Sequence, residues 1–114
     1  MRALLIDPIE QKVSEFDYDG DSSKIYEMLE TSGHRPRFFD VVSIPFGNDG
    51  ICIDDEGLFA PIQFMWSFNW HNWKEPIRLV NKALVIGCDN NGDAEDSTSG
   101  VEIINHIKWG AWGK

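Results

Sequence analysis

Two short runs, residues 3–6 (ALLI) and 82–87 (KALVIG), are apolar on nearly every position, so both alternating faces of an extended chain would be greasy. That pattern suits a strand at the centre of a sheet, buried on both faces. Asp7-Pro8 ends the first run, because proline fixes φ and removes a backbone donor. A more polar stretch, 12–18, follows closely enough to return as an antiparallel hairpin partner.

The segment between these runs supplies the other elements. Asp21 is a good N-cap for a helix whose shared face is Ile25, Met28 and Leu29, and Gly33 is placed to stop it. Residues 38–44 and 51–54 read as strands around Pro45 and Asn48-Asp49-Gly50, with a turn at 54–57 leading to Leu58-Phe59. Residues 89–96 read as an acidic loop. Ser99-x-x-Glu102 matches a capping box, with Val101, Ile103, Ile104 and Ile107 as the buried face of a closing helix.

The 114 residues therefore predict one α+β domain over 1–114: a mostly antiparallel sheet of about five to seven strands with two helices. Neither a signal peptide nor a membrane span is legible, which points to a cytoplasmic protein. Cys52 and Cys88, each inside an apolar run, read as reduced, buried thiols. A disulfide between them needs their two strands to be neighbours.

Residues 64–73 (FMWSFNWHNW) hold three of the five tryptophans. Phe64, Trp66 and Phe68 alternate as one face of a half-buried strand, which makes them core. Trp70 and Trp73, beside His71, Asn72 and Lys74, suit an exposed anchor as well as a buried one; with Trp112 they are candidate partner-binding residues.

Nineteen acidic against ten basic residues give a net charge of −9. A field of that sign repels phosphate backbones, so no direct nucleic-acid partner is expected, and it favours a protein partner with a basic surface. Asp54, Asp55, Glu56, Asp93, Glu95 and Asp96 are the candidate steering rim. Asp17-x-Asp19-x-Asp21 and Asp89-x-Asn91-x-Asp93 resemble the start of a calcium loop. Both lack the glycine at position six and the glutamate at position twelve, so they read as turn residues and no metal or other cofactor is expected. Ser, Cys and His stand in no nucleophile motif, and no catalytic residue is assigned. The rivals are a small metal-dependent or nucleotide-handling enzyme using those aspartates, and a passive homodimer.

Several landmarks taken together resemble a family of small, uncharacterised bacterial and bacteriophage proteins. They are Ala3-Leu4-Leu5-Ile6-Asp7-Pro8, Tyr18-Asp19-Gly20-Asp21 with Ile25-Tyr26, Phe39-Asp40-Val41-Val42, Ile53-Asp54-Asp55-Glu56-Gly57-Leu58, and Asn81-Lys82-Ala83-Leu84-Val85-Ile86-Gly87. They span the chain to about Asp89. The resemblance implies a compact cytoplasmic domain encoded by phages or mobile elements. It brings no activity. Trp70-His71-Asn72-Trp73 and the tail after Asp96 depart from the family pattern.

Overall fold

The computed structural model describes residues 1–30, 36, 38–43, 48–54, 63–69 and 74–110. Among these, every strand pair is antiparallel, and the elements form an α+β globule with a radius of gyration of 13.2 Å. The larger sheet contains β1 (Arg2–Asp7), β2 (Lys12–Asp17), β3 (Phe39–Ser43), β4 (Asp49–Asp54) and β7 (Ala83–Cys88) in the order β2-β1-β7-β4-β3. A two-residue strand, β8 (Ala94–Glu95), turns back onto the end of β7. The smaller sheet has the order β6 (Ile77–Val80), β5 (Met65–Phe68), β9 (Ile107–Trp109).

The two wholly apolar runs occupy the middle of the larger sheet as β1 and β7, with Leu5 opposite Leu84. Their alternation divides the core in two. On one face Leu4, Ile6, Ile51, Ala83 and Val85 meet Trp66, Phe68 and Leu79 of the smaller sheet and Ile103. On the other, Ala3, Cys52, Leu84 and Ile86 meet Tyr18 and two residues of α1 (Ser22–Leu29), Ile25 and Leu29. The larger sheet is thus the middle of three layers. No helix among the described residues is long and apolar enough to cross a membrane.

The larger sheet, with six strands including the very short β8, has the expected size, and three further strands among the described residues form the second sheet. The aromatic segment is a strand through Phe68, as its alternation implies; Trp66 and Phe68 are fully buried, and Phe64 is half-buried. The Trp66 indole donates to the Asn81 carbonyl at 2.8 Å, and its ring lies 6.3 Å from that of Trp109, its cross-strand partner. Asn81 holds a left-handed backbone (φ 64°), and its side-chain oxygen accepts from the Phe64 N–H, locking the corner between β6 and β7.

The closing helix differs from expectation. Residues Val101–His106 form a 3₁₀ helix, Val101 is 43% exposed, and the cap position is Gly100. Glu102 accepts from the Gly100 N–H at 3.0 Å, whereas Ser99 is buried and its backbone N–H is held by Asp49. Asp49, itself only 3% exposed, accepts from Thr98 N at 2.7 Å and Ser99 N at 2.8 Å, tying this loop to the start of β4.

Asp21 caps α1 as expected, accepting from the Ser23 N–H at 3.0 Å, while the Gly33 stop lies outside the described residues. That bond holds the Asp21 carboxyl below the ordinary carboxylate range, and the Glu102 and Gly100 N–H groups do the same for Glu102. A depressed folded-state pKa stabilises above the ordinary value, and the contribution is lost as pH falls through the folded one. Melting temperature is therefore expected to fall between about pH 5 and pH 2, with a shallower slope in Asp21→Ala, measured by circular dichroism.

Candidate binding site

α1 has eight residues, about 12 Å at 1.5 Å per residue, whereas five strands spaced about 4.8 Å apart span roughly 20 Å. The helix packs over β7 and β4, and its Tyr26 reaches β3, where its ring centroid lies 5.3 Å from that of Phe39. There the surface sinks into a hollow of about 360 Å³. Ile25, Phe39, Val41, Cys52 and Ile86 supply its apolar lining, with Tyr18 at one side. Val41 is 47% exposed, and Phe38, just before β3, is 61% exposed. Gly50 permits the close packing of β3 and β4 here, since a Cβ on it would come within 2.6 Å of Val41 Cγ1.

The rim is polar and acidic. Asp93 and Gly92 come from the turn between β7 and β8, and Gly20 and Ser22 from the turn before α1, where they alternate with Asp19 and Asp21. Burial raises the Tyr18 phenol above its ordinary range, and the Asp19 and Asp21 carboxylates push it the same way. Tyr18 is 3% exposed, and its hydroxyl makes no hydrogen bond among the described residues.

Both cysteines line the hollow and both are free. β4 and β7 are neighbours, yet the register sets Cys52 opposite Leu84, four residues from Cys88. Cys52 is buried and its thiol is pushed up to about 12 by desolvation; Cys88, expected in the core, is exposed because β7 runs on past the cover of α1. A thiol reagent is expected to modify one cysteine in the native protein and the second only on unfolding, with peptide mapping placing the first at Cys88.

The aspartates with calcium-like spacing are occupied by local backbone. Asp19 accepts from Asp21 N, and Asp89 accepts from Asn91 N at 2.8 Å and Asp93 N at 2.9 Å. Asp17 lies 2.7 Å from the Met1 ammonium. No group of three His, Cys, Asp or Glu among the described residues is placed to hold a metal ion.

Of the candidate partner contacts, Trp70, His71, Trp73, Trp112, Asp55 and Glu56 lie outside the described residues. Asp54 is buried in β4, 8% exposed, instead of standing on an open rim. Glu95 is half-buried in β8, and Asp96 is exposed with its carboxylate accepting from the Arg2 N–H at 2.8 Å. Among the described residues of the set, Asp93 alone borders the hollow. Tyr18, Phe39, Val41 and Ile86, which the sequence did not single out, form the rest. The exposed alternation of Val41 in a β-rich run was the available signal.

Charge is distributed unevenly along the chain. Segments 63–82 and 101–110, which build the smaller sheet, carry four basic and two acidic residues; the remainder carries six basic and seventeen acidic. Ser67 faces Arg78 across one strand pair and Lys108 across the other, on the face away from Trp66 and Phe68. Both cations are exposed.

Compared with protein-family models, with curated proteins and with solved structures, the chain matches none.

Proposed function

We propose that this chain is a small acidic accessory protein that binds another protein and acts by occlusion, without chemistry of its own. In this reading it is a cytoplasmic product of a phage or mobile element, as the resemblance implies. Its target is a host protein with a basic surface, of the kind found on defence or nucleic-acid-handling machinery. The observation that carries the reading is the apolar hollow beside α1, with the Asp93 carboxylate at its rim. Apolar surface ringed by polar groups is the ordinary form of a contact site. The acidic surplus around it speeds encounter with a basic partner. The same surplus disfavours face-to-face pairing of two copies, which counts against the homodimer rival.

Capture from bacterial lysate tests this, using wild type, a Phe38→Ser/Val41→Ser variant and a Trp70→Ala/Trp73→Ala variant as baits. The expected result is a basic protein whose retention drops at least about tenfold in the first variant and weakens with added salt. Loss only in the second variant would move the contact to the tryptophan segment. A partner retained equally by both, or none at all, would refute occlusion through either surface.

A further inference from the structure

We propose that the outer face of the smaller sheet binds a phosphate monoester, held over Ser67 between the side chains of Arg78 and Lys108. The site lies on the layer opposite α1 and is independent of the partner-binding reading above.

Strand register builds the site. Directly opposed residues of antiparallel strands project from the same face, so β6, β5 and β9 set Arg78, Ser67 and Lys108 in one row. With strands about 4.8 Å apart, the two cations stand roughly 10 Å apart at the backbone, and their long stems can converge above the hydroxyl between them. Trp66 and Phe68 commit the other face to the core. Arg78 and Lys108 are exposed, and Ser67 is half-buried. The chain has nineteen acidic side chains, yet neither cation makes an ion pair among the described residues. Two uncompensated cations flanking a hydroxyl form a local positive field that an added anion balances.

A pocket along the row supplies the remaining groups. Its volume is about 330 Å³, at the small end of ligand sites, and no carboxylate is in its lining. Ser67, Asn69, Asn105, His106 and Lys108 line it; Arg78, outside the lining, closes the row on the β6 side. The wall is braced by two bonds. The Asn69 N–H donates to the His106 carbonyl at 2.9 Å, and His106 Nδ1 donates to the Asn69 carbonyl at 3.2 Å. A carbonyl only accepts, so Nδ1 carries the proton and the ring is fixed at the end of β5. A hydroxyl, two amides and an ammonium thus come from β5, the 3₁₀ helix and β9 and the residues at their ends. Donors from three elements suit the three free oxygens of a tetrahedral phosphoryl group, whereas a carboxylate has two oxygens in one plane. A charge of about −1.5 to −2 also answers two cations better than a single negative charge does. The net charge of −9 repels a long phosphate backbone, which favours one isolated monoester over a nucleic acid.

The test is a ¹H–¹⁵N NMR titration of the full chain with inorganic phosphate, at fixed pH and at an ionic strength held constant with sodium chloride. Acetate is the control for charge without tetrahedral shape. The expected result is saturable shifts clustered at Ser67, Asn69, His106 and Lys108, with a Kd of about millimolar order. Acetate should bind at least about fivefold more weakly. Arg78→Gln and Lys108→Gln, both at exposed positions, should each weaken phosphate several-fold, whereas Lys24→Gln on α1 should leave it unchanged. Ribose 5-phosphate and N-acetyl-phosphoserine methylamide then separate the sources of the monoester. Tighter binding of the first assigns the site to a small phosphorylated metabolite, and tighter binding of the second to a phosphorylated side chain; either supports the proposal. Shifts that do not saturate, acetate binding as tightly as phosphate, glutamine variants that bind as wild type, or rejection of both esters would overturn it.

Discussion

Trp66→Ala is expected to lower the free energy of unfolding by about 3–5 kcal/mol, a large part of the 5–15 kcal/mol that ordinarily holds a domain folded. The indole is fully buried where the two sheets meet, so its removal opens a cavity bounded by elements that cannot collapse onto one another. It also strips the Asn81 carbonyl of the N–H that satisfies it at 2.8 Å. Trp66→Phe separates the two losses. It keeps most of the apolar area and forfeits the hydrogen bond, for about 1–2 kcal/mol. Urea denaturation of the three proteins measures both steps, with an unchanged m-value expected for the phenylalanine variant.

Asp49→Ala is expected to cost about 2–4 kcal/mol by another route. The carboxylate accepts two backbone N–H groups from a loop fifty residues away, and Ser99 is buried when it donates. Alanine leaves those donors without a partner, and the loop that leads into the 3₁₀ helix loses its tether to β4. Asp49→Asn keeps one acceptor and turns an NH₂ group towards a donor, so an intermediate loss is expected. Hydrogen exchange gives a local readout. The amides of Thr98 and Ser99 should exchange faster in both variants, while those of β1 and β7 keep their protection relative to global stability.

The sequence and the structure agree most closely where the signal is local. β1 and β7 are central because their inner positions are apolar on both faces, and no partner need be known to see it. Asp21 caps α1 through a bond two residues long. The closing helix shows the limit of such reasoning. Ser99 and Glu102 have capping-box spacing, but the Ser99 N–H is claimed by Asp49, and a long-range carboxylate cannot be read from a four-residue window. Cys88 failed for a similar reason. It continues the apolar run of β7, but whether such a residue is covered depends on how far α1 reaches. The hollow itself is lined from β3, β4, β7, α1 and two turns, an arrangement that exists only after all of them have come together. Tyr18 looks like a turn residue among aspartates, and only the packing of α1 and the larger sheet around it makes its ring part of the core.

The local excess of basic residues in the smaller sheet has a mechanical consequence. The smaller sheet presents Arg78 and Lys108 in a chain of net charge −9, so the approach of a cationic body is opposed locally at that sheet and favoured elsewhere. Rotational diffusion is thereby biased, so that a smaller share of productive collisions begins with the smaller sheet leading. Reversing the two cations to glutamate would raise the total attraction yet blunt that alignment, a trade visible only in association rates at low ionic strength.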